Sequence, residues 1–239
     1  ELKKVSEKNA DGYKSFWKEY GAVLKEGLYE DAERKEALLD LSRFSTNEND
    51  DPISLSEYVE KMPEKQKDIY YISAETKDQA LASPHLEGFK SKKIPVLIMT
   101  DAIDQFWLPM VGSFKEKKFT SITQGQINLD DLDEKNKDKK KDDKNEKEKK
   151  DKEYVDLVAQ LKVVLGDQVK DIRLSSKLTD SPVCLVADEG DMDIAMEQLM
   201  AQRDTNYKGA PRILEINGDH SLIKNMKSLL SKKENNDLV

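Results

Sequence analysis

Few residue types in this chain could carry out acid–base, nucleophilic or metal chemistry. The chain contains two histidines, His85 and His220, and a single cysteine, Cys184. Each histidine falls in the first turn of a predicted helix, and neither has neighbours at the spacing of a metal site. We therefore expect both histidines to occupy surface positions on helices. Cys184 lies among apolar residues, which favours an inert buried thiol over a nucleophile.

The carboxylates give no stronger indication of catalysis, and no phosphate-binding motif is found. Asp101 and Asp104 are three residues apart at the start of a helix predicted over 101–108, where acidic side chains complement the helix dipole. That capping role explains them better than a catalytic pair does. The sequence contains neither a glycine-rich phosphate loop nor a GxSxG motif. We predict no catalytic residue, metal site or cofactor site, and a small-molecule enzyme is the weakest of the functions that remain open.

A methionine-rich stripe is more informative than these polar residues. Met192, Met196, Leu199 and Met200 recur at the spacing of one face of a predicted helix. Methionine is flexible and polarisable, so it suits surfaces that accept varied partners. On periodicity alone, ordinary core packing explains the stripe better than a binding surface does.

A second apolar cluster lies in the helix predicted over 101–108. Ile103, Trp107 and Met110 share one face of that helix and are expected to make core contacts. Phe106 lies at the edge of this face and could be exposed.

Composition restricts the classes of partner. Charged residues make up 37% of the 239 residues, and the formal net charge is −8. This charge argues against nucleic acid as the main partner, because phosphate binding needs a basic surface. The longest apolar run, 94–99, is far shorter than the roughly 18 residues that span a bilayer, so no membrane partner is predicted. A single cysteine favours a cytoplasmic location.

The pattern before residue 130 predicts helices followed by an α/β layer. Phe16, Tyr20, Val23 and Leu24 have the spacing of one helix face, and Ser54 with Glu57 forms a capping box. Strands are predicted over 69–72, 96–99 and 118–123. Because these strands alternate with helices, the sheet should be largely parallel.

A charged segment at 130–153 divides the chain. Of its 24 residues, 21 are Asp, Glu or Lys, and the two signs nearly cancel. Such a segment cannot bury enough apolar area to offset its ordering entropy, so we predict a flexible, solvated linker with at most transient helix. The balance of charge argues against a tail that binds DNA or membranes. A smaller α+β module is predicted over 154–239, with Asp219 capping its last helix.

Several segments together resemble the heat-shock protein 90 family, most closely its bacterial form. They are GYKSFWKEYGAVLKEG at 12–27, LSEYVEKM at 55–62, QKDIYYI at 66–72, SSKLTDSP at 175–182 and LEIN at 214–217. The match runs in order through nearly the whole chain except the linker. It implies that 1–129 is the later part of the middle domain and that 154–239 is a partial C-terminal domain.

The resemblance also implies a function that composition could not indicate. Family members are ATP-dependent chaperones, homodimeric at full length, that bind unfolded or partly folded client proteins with possible co-chaperones. Their ATP and magnesium site, their catalytic arginine and their dimerisation helices would lie outside this chain. We therefore expect an internal fragment that is monomeric, binds no cofactor and has no ATPase activity of its own.

Client contacts in the family map onto the two apolar clusters. The resemblance assigns them to Phe106, with Trp107 beside it, and to the stripe of Met192, Met196, Leu199 and Met200. This reverses the preference for core packing of the stripe. The competing hypothesis is a structural scaffold whose methionines pack internally, and the solvent exposure of the methionines separates the two.

The linker hypothesis predicts where proteases cut. Limited digestion with trypsin should cleave first within 130–153, because lysines are dense there and the segment lacks core-forming residues. Two resistant fragments, identified by mass spectrometry, are the expected result. Early cleavage within 55–71 would contradict the assignment.

Overall fold

The computed structural model describes residues 1–49, 51–132, 140–204 and 207–231. The chain forms two compact units, each with helices and sheet. The first comprises Glu1–Leu86 and Lys93–Ile122, and the second comprises Glu87–Lys92 and Thr123–Val239. The predicted combination of α/β and α+β architecture is confirmed.

Helices are numbered in chain order. Those of the first unit are α1 (Leu2–Lys8), α2 (Ala10–Glu30), α3 (Lys35–Leu41), α4 (Leu55–Lys61), α5 (Lys77–Leu81) and α7 (Asp104–Val111). Those of the second unit are α6 (Glu87–Ser91), α8 (Lys140–Leu165), α9 (Ile194–Arg203) and α10 (Ser221–Ser231). The strands are β1 (Arg43–Thr46), β2 (Ile53–Ser54), β3 (Ile69–Ser73), β4 (Leu97–Met99), β5 (Ser113–Phe114), β6 (Lys117–Ser121), β7 (Val169–Leu174), β8 (Val183–Val186) and β9 (Arg212–Ile216).

The sheet of the first unit has the strand order β2-β1-β4-β3-β6-β5. Its centre is parallel, because β3 pairs in parallel with both β4 and β6. The predicted parallel α/β layer is thus confirmed. The antiparallel strands β1, β2 and β5 extend it and were not predicted, since β2 and β5 have only two residues and show no alternation.

Side-chain caps fix the helix starts that the sequence predicts. Ser54 accepts a hydrogen bond from the backbone N–H of Glu57, and the Glu57 carboxylate accepts from the Ser54 N–H. These bonds hold the pKa of Glu57 below its ordinary value. Thr76 and Gln79 form the same reciprocal box before α5.

Helix α2 turns a different face inward than its apolar spacing indicates. Tyr20 and Val23 are exposed, and the Phe16 and Tyr20 rings stack with centroids 5.3 Å apart. The buried residues of α2 are Tyr13, Gly21, Lys25 and Leu28. The helix is therefore docked partly through a charged side chain.

A buried ion pair joins α2 to α7. Lys25 and Asp104 are both buried, and Lys25 Nζ lies 2.9 Å from Asp104 Oδ1 and 2.8 Å from Asp101 Oδ2. The Trp107 Nε1–H donates to Asp104 Oδ1 at 2.7 Å. Burial raises the pKa of Asp104, which Lys25 and Trp107 oppose. The helix-capping interpretation of Asp104 was incomplete, because its carboxylate also accepts from two buried donors, Lys25 of α2 and Trp107 of α7 itself.

The second unit is a three-stranded sheet covered by helices. The strand order is β7-β9-β8, with β7 parallel and β8 antiparallel to β9. A core cluster joins strands and helices: Tyr154, Leu157, Leu161, Ile172, Ile216 and Ile223. Gly166 follows α8 with a φ of +49°, the left-handed conformation expected of a glycine that ends a helix.

The described part of the charged segment differs from the expectation of a solvated linker. Helix α8 begins at Lys140 and runs without a break into the predicted helix over 154–165. Upstream of it, Ile127 and Leu129 are buried, and the Ser176 hydroxyl donates to the Ile127 carbonyl, so 123–132 folds with the second unit. Residues 133–139 lie outside the described part, and the flexibility of 130–153 stays a prediction.

In the described parts of the chain, no helix combines the length and apolar content that crossing a bilayer requires.

The Lys25–Asp104 pair generates a stability prediction. Asp104→Asn keeps an acceptor for Trp107 but leaves the buried Lys25 ammonium with only the half-exposed Asp101 as a counter-charge. The free energy of unfolding should therefore fall by about 3 kcal/mol, the lower end of the range for breaking a buried pair. Urea denaturation followed by circular dichroism measures the change.

Asp101→Asn is the matched control. Asp101 is half-exposed, so its replacement should lower the free energy of unfolding by about 1 kcal/mol or less. Removing both charges, with Lys25→Met and Asp104→Asn, should recover most of the loss, because the amide oxygen at position 104 still accepts from the Trp107 N–H. Equal effects of the two Asn variants would contradict the central role of the buried pair.

Candidate functional site

Polar contacts position helix α9, which carries most of the candidate residues. Its N-cap, Asp193, accepts from the Ala195 N–H at 2.9 Å. The preceding acidic loop is held by Gln124, whose side-chain amide donates to the Asp191 carbonyl at 2.6 Å. The Arg212 guanidinium donates to the Met192 carbonyl at 3.2 Å. The helix is thus fixed from its first turn.

A charged residue, rather than the methionine stripe, forms the buried face of α9. The buried residue of this helix is Glu197, which pairs with the Arg212 guanidinium. The Glu197 carboxylate also accepts from the Ala210 N–H at 2.6 Å. Burial of the guanidinium lowers the pKa of Arg212. This ion pair holds α9 to the strand that begins at Arg212, so the docking of the helix does not rest on apolar side chains alone.

The methionine stripe consequently reaches the surface. Met192 is 38% exposed and Met200 is 37% exposed. Met196 and Leu199 are half-buried. The side chains were expected to form one stripe, and the structure places none of them in the core of the second unit.

The two aromatic candidates of the first unit have different environments. Phe106 is half-buried and meets Tyr29 edge to face, with ring centroids 6.3 Å apart. Trp107 is fully buried, with its ring 6.0 Å from that of Phe44 and 5.5 Å from that of Phe119. The assignment of Trp107 to a client-contacting surface is corrected, since it is a core residue whose N–H is bound to Asp104.

Met110 was missed as an exposed residue of the same helix. It was expected in the core with Trp107, yet it is among the exposed large apolar side chains. Pro109 lies inside α7, and the helix ends at Val111, before Gly112 with a φ of +69°. The buried residues of α7 are Asp104, Trp107, Leu108 and Val111, so Met110 lies on the outer side of the last turn while its neighbour Val111 packs in the core.

The histidines have structural positions that differ from those predicted. His85 is buried in a short 3₁₀ turn, Pro84–Leu86, rather than on the surface. His220 accepts from the Leu222 N–H at its Nδ1, at 3.1 Å, and so caps α10. Asp219 was expected to be that cap, but its carboxylate instead meets the Lys150 ammonium at 2.5 Å.

Cys184 lies in a buried polar cluster around Glu215. Arg173 donates two hydrogen bonds to Glu215 Oε1, and the Ser175 hydroxyl donates to Oε2 at 2.9 Å. The buried Lys177 ammonium lies 3.8 Å from Oε2, and the Cys184 thiol lies 3.9 Å from the same atom. Burial lowers the pKa of Lys177 and raises that of Cys184 to about 12.

Several cationic side chains that line a cavity of the first unit are held by acidic side chains and backbone carbonyls of the described residues. A cavity of about 560 Å³ beside α2 is lined by Lys14, Trp17, Lys25 and Arg43, among others. Its cations are engaged: Lys14 pairs with Asp51, Lys25 with Asp104, and Arg43 donates to backbone carbonyls. Throughout the described residues, no three His, Cys, Asp or Glu side chains are grouped as metal ligands.

The environment of Cys184 predicts low thiol reactivity. With a pKa of about 12, only about one thiol in ten thousand is ionised at pH 8, and the thiolate is the reactive form. Alkylation by iodoacetamide at pH 8, followed by mass spectrometry, should be far slower than for the same chain in urea. Equal rates in both conditions would show that the thiol is accessible and ionisable.

Comparison with known proteins places this sequence in a family. The sequence model of the Hsp90 protein family matches residues 1–239. The chain is 43% identical over 223 residues to the chaperone protein HtpG of Roseobacter denitrificans, which covers 93% of this chain and 35% of that protein.

Other bacterial relatives show the same coverage. The chain is 38% identical over 217 residues to the chaperone protein HtpG of Streptomyces coelicolor, covering 90% of this chain and 33% of that protein. It is 40% identical over 246 residues to the chaperone protein HtpG of Wolbachia pipientis wMel, covering 98% of this chain and 37% of that protein. The chain spans about a third of the length of these relatives. It belongs to the Hsp90 protein family, with bacterial members as its similar relatives.

Proposed function

We propose that this chain supplies polypeptide-binding surface to a molecular chaperone. The observation that carries the proposal is the exposure of Met192 and Met200 on a helix that is held by Glu197 and Arg212. Because the ion pair contributes to docking, the side chains of Met192 and Met200 stay available to a partner. Membership of the Hsp90 family and the chaperone names of the relatives support the same function.

The chemistry of the α9 surface suits partners without a defined sequence. Methionine side chains have three rotatable bonds and a polarisable sulfur, so they adapt to different apolar segments with little strain. Burying one such side chain contributes about 1.5–3 kcal/mol before ordering costs are subtracted. Four partly exposed side chains then support micromolar-class affinity, which allows release of the partner.

The first unit contributes a separate candidate contact at Phe106. Its ring is half-buried and supported edge to face by Tyr29, so a partner would meet a rigid aromatic edge. The proposed partners are unfolded or partly folded proteins, and co-chaperones are possible additional ones. Nucleic acid and membranes are not among the proposed partners.

The ATP-dependent part of the function belongs, in this proposal, to the longer protein. Relatives are about three times the length of this chain, and the sequence of these 239 residues contains no phosphate-binding loop. Binding by this chain should therefore require neither ATP nor magnesium. We also propose that the chain is monomeric, that the longer protein is a homodimer and that both are cytoplasmic.

A structural scaffold remains the alternative, and the half-burial of Met196 and Leu199 favours it. In that case the stripe would stabilise the second unit or pack against a fixed partner. Stability and binding measurements on the same variants separate the two functions.

The test is the double variant Met192→Ser, Met200→Ser. Because both side chains are exposed, the free energy of unfolding should change by no more than about 0.5 kcal/mol per site. Affinity for a fluorescently labelled, permanently unfolded protein should fall about tenfold or more, as fluorescence anisotropy measures.

Val163→Ser is the matched control in the second unit, since Val163 is 78% exposed on α8 and outside the stripe. Phe106→Ser and the exposed Tyr20→Ser form the equivalent pair in the first unit. A stability loss of about 2 kcal/mol or more per methionine would identify core residues and support the scaffold. Unchanged affinity in the double variant would refute the α9 surface.

A further inference from the structure

Strand β8 is an edge of the three-stranded sheet in the second unit. It pairs with β9 in a register that matches Cys184 with Glu215 and Val186 with Ile213. In an antiparallel ladder, residues alternate between those that exchange hydrogen bonds with the neighbouring strand and those whose backbone groups point away from it. The alternation decides which groups the free edge presents.

A hydrogen bond beside the ladder identifies the outward residues. The Asn217 N–H donates to the Pro182 carbonyl at 2.8 Å, which makes this pair a bonded one. By alternation, Cys184 and Val186 also bond to β9. The backbone N–H and C=O groups of Val183 and Leu185 must therefore point out of the sheet.

The next outward residue already binds an extended segment. The Ala187 N–H donates to the Thr123 carbonyl at 2.9 Å, and the Ala187 carbonyl accepts from the Gly125 N–H at 2.8 Å. These two bonds form a parallel bridge between Gln124 and Ala187. The edge of β8 thus accepts a short added strand within the chain itself, and Leu185 and Val183 continue that edge.

The side chains of the outward residues are apolar and accessible. Val183 is 39% exposed and Leu185 is 47% exposed, while Cys184 and Val186 are buried. The outward N–H and C=O groups of Val183 and Leu185 lie beside these two exposed side chains. Exposed apolar residues at alternate positions along an open edge are what an incoming strand requires for specificity and backbone pairing.

Charge at the two ends of the strand restricts the partner further. Asp180 precedes β8, Glu189 follows it, and both are exposed. Exposed lysines or prolines on an edge strand normally discourage strand addition, and Val183–Val186 contains neither. An incoming segment with basic ends would be favoured over an acidic one.

We propose that the outer edge of β8 binds an extended polypeptide segment as an added strand, with apolar residues at alternate positions and basic residues at its ends. The proposal rests on the proposed function of the chain in binding non-native polypeptides. It adds a second site with a different mode of recognition, since backbone pairing replaces the helix-borne side-chain contacts of α9.

The test uses the ¹⁵N-labelled 239-residue chain and the probe peptide KKTVTVTKK. Binding should shift the amide resonances of Val183 and Leu185 and slow their hydrogen exchange several-fold. Two isomers of the peptide carry N-methyl groups on alternate amides, so that each isomer blocks one edge of its strand. Their affinities should differ about tenfold, because only one edge can pair with β8.

Leu185→Lys should weaken the unmethylated peptide by repulsion, while Val163→Lys adds the same charge on exposed α8 and should not. The peptide isomers test the edge even where Leu185→Lys perturbs folding. Equal affinity of the two isomers, no binding of either peptide, or concentration-dependent self-association at Val183 without peptide would each overturn the proposal. If unfolded protein still binds in a manner that depends on Met192 and Met200, the proposed function stands while the edge site falls.

Discussion

Burying a charged side chain is costly unless a partner of opposite charge and further hydrogen bonds accompany it, and both candidate helices of this protein are docked in that way. In the first unit, Asp104 at the start of α7 meets Lys25 of α2 and the Trp107 N–H. In the second unit, Glu197 in the middle of α9 meets Arg212 and a backbone N–H. Charged anchors fix each helix through a few directional bonds. Trp107 of α7 still packs in the core, but other apolar side chains on or beside the two helices, Met110, Met192 and Met200, remain at the surface.

This arrangement explains why hydrophobic periodicity misplaced several side chains. The spacing of Phe16, Tyr20 and Val23 predicted helix α2 correctly, yet Lys25 is the residue of that helix that turns inward with Tyr13. Periodicity assumes that apolar residues determine the buried face, and a long charged side chain with a buried partner violates that assumption. The partner of Lys25 lies 79 residues away in the sequence, so no local pattern could indicate it.

Features set by neighbouring residues were predictable, while features set by distant contacts were not. The capping boxes at Ser54 and Thr76 and the glycine end of α8 follow from side chains within four residues of the helix terminus. The family itself was evident from ordered segments. By contrast, the burial of His85 depends on tertiary packing. The cap of α10 was assigned to the wrong neighbour, because the Asp219 carboxylate meets Lys150, 69 residues away, and His220 accepts from the Leu222 N–H instead. At α9, Asp193 rather than the stripe residues determines where the helix starts.

The edge of β8 illustrates a limit of another kind. The run Val183–Val186 has the composition of a buried strand, and sequence gives no sign that two of its four side chains are exposed. Which backbone groups point outward depends on one bond, Asn217 to Pro182, because a shift of the ladder by one residue would exchange inner and outer groups. Pro182 has no N–H to donate, so its pair with Asn217 can form only the single bond that is observed. The proline therefore closes the ladder at one end, and the Thr123–Gly125 bridge occupies the edge at the other. Between them lies a short open edge. Its length limits an added strand to a few hydrogen bonds and therefore to weak, reversible pairing. The affinity expected is in the same range as that of a few adaptable methionines.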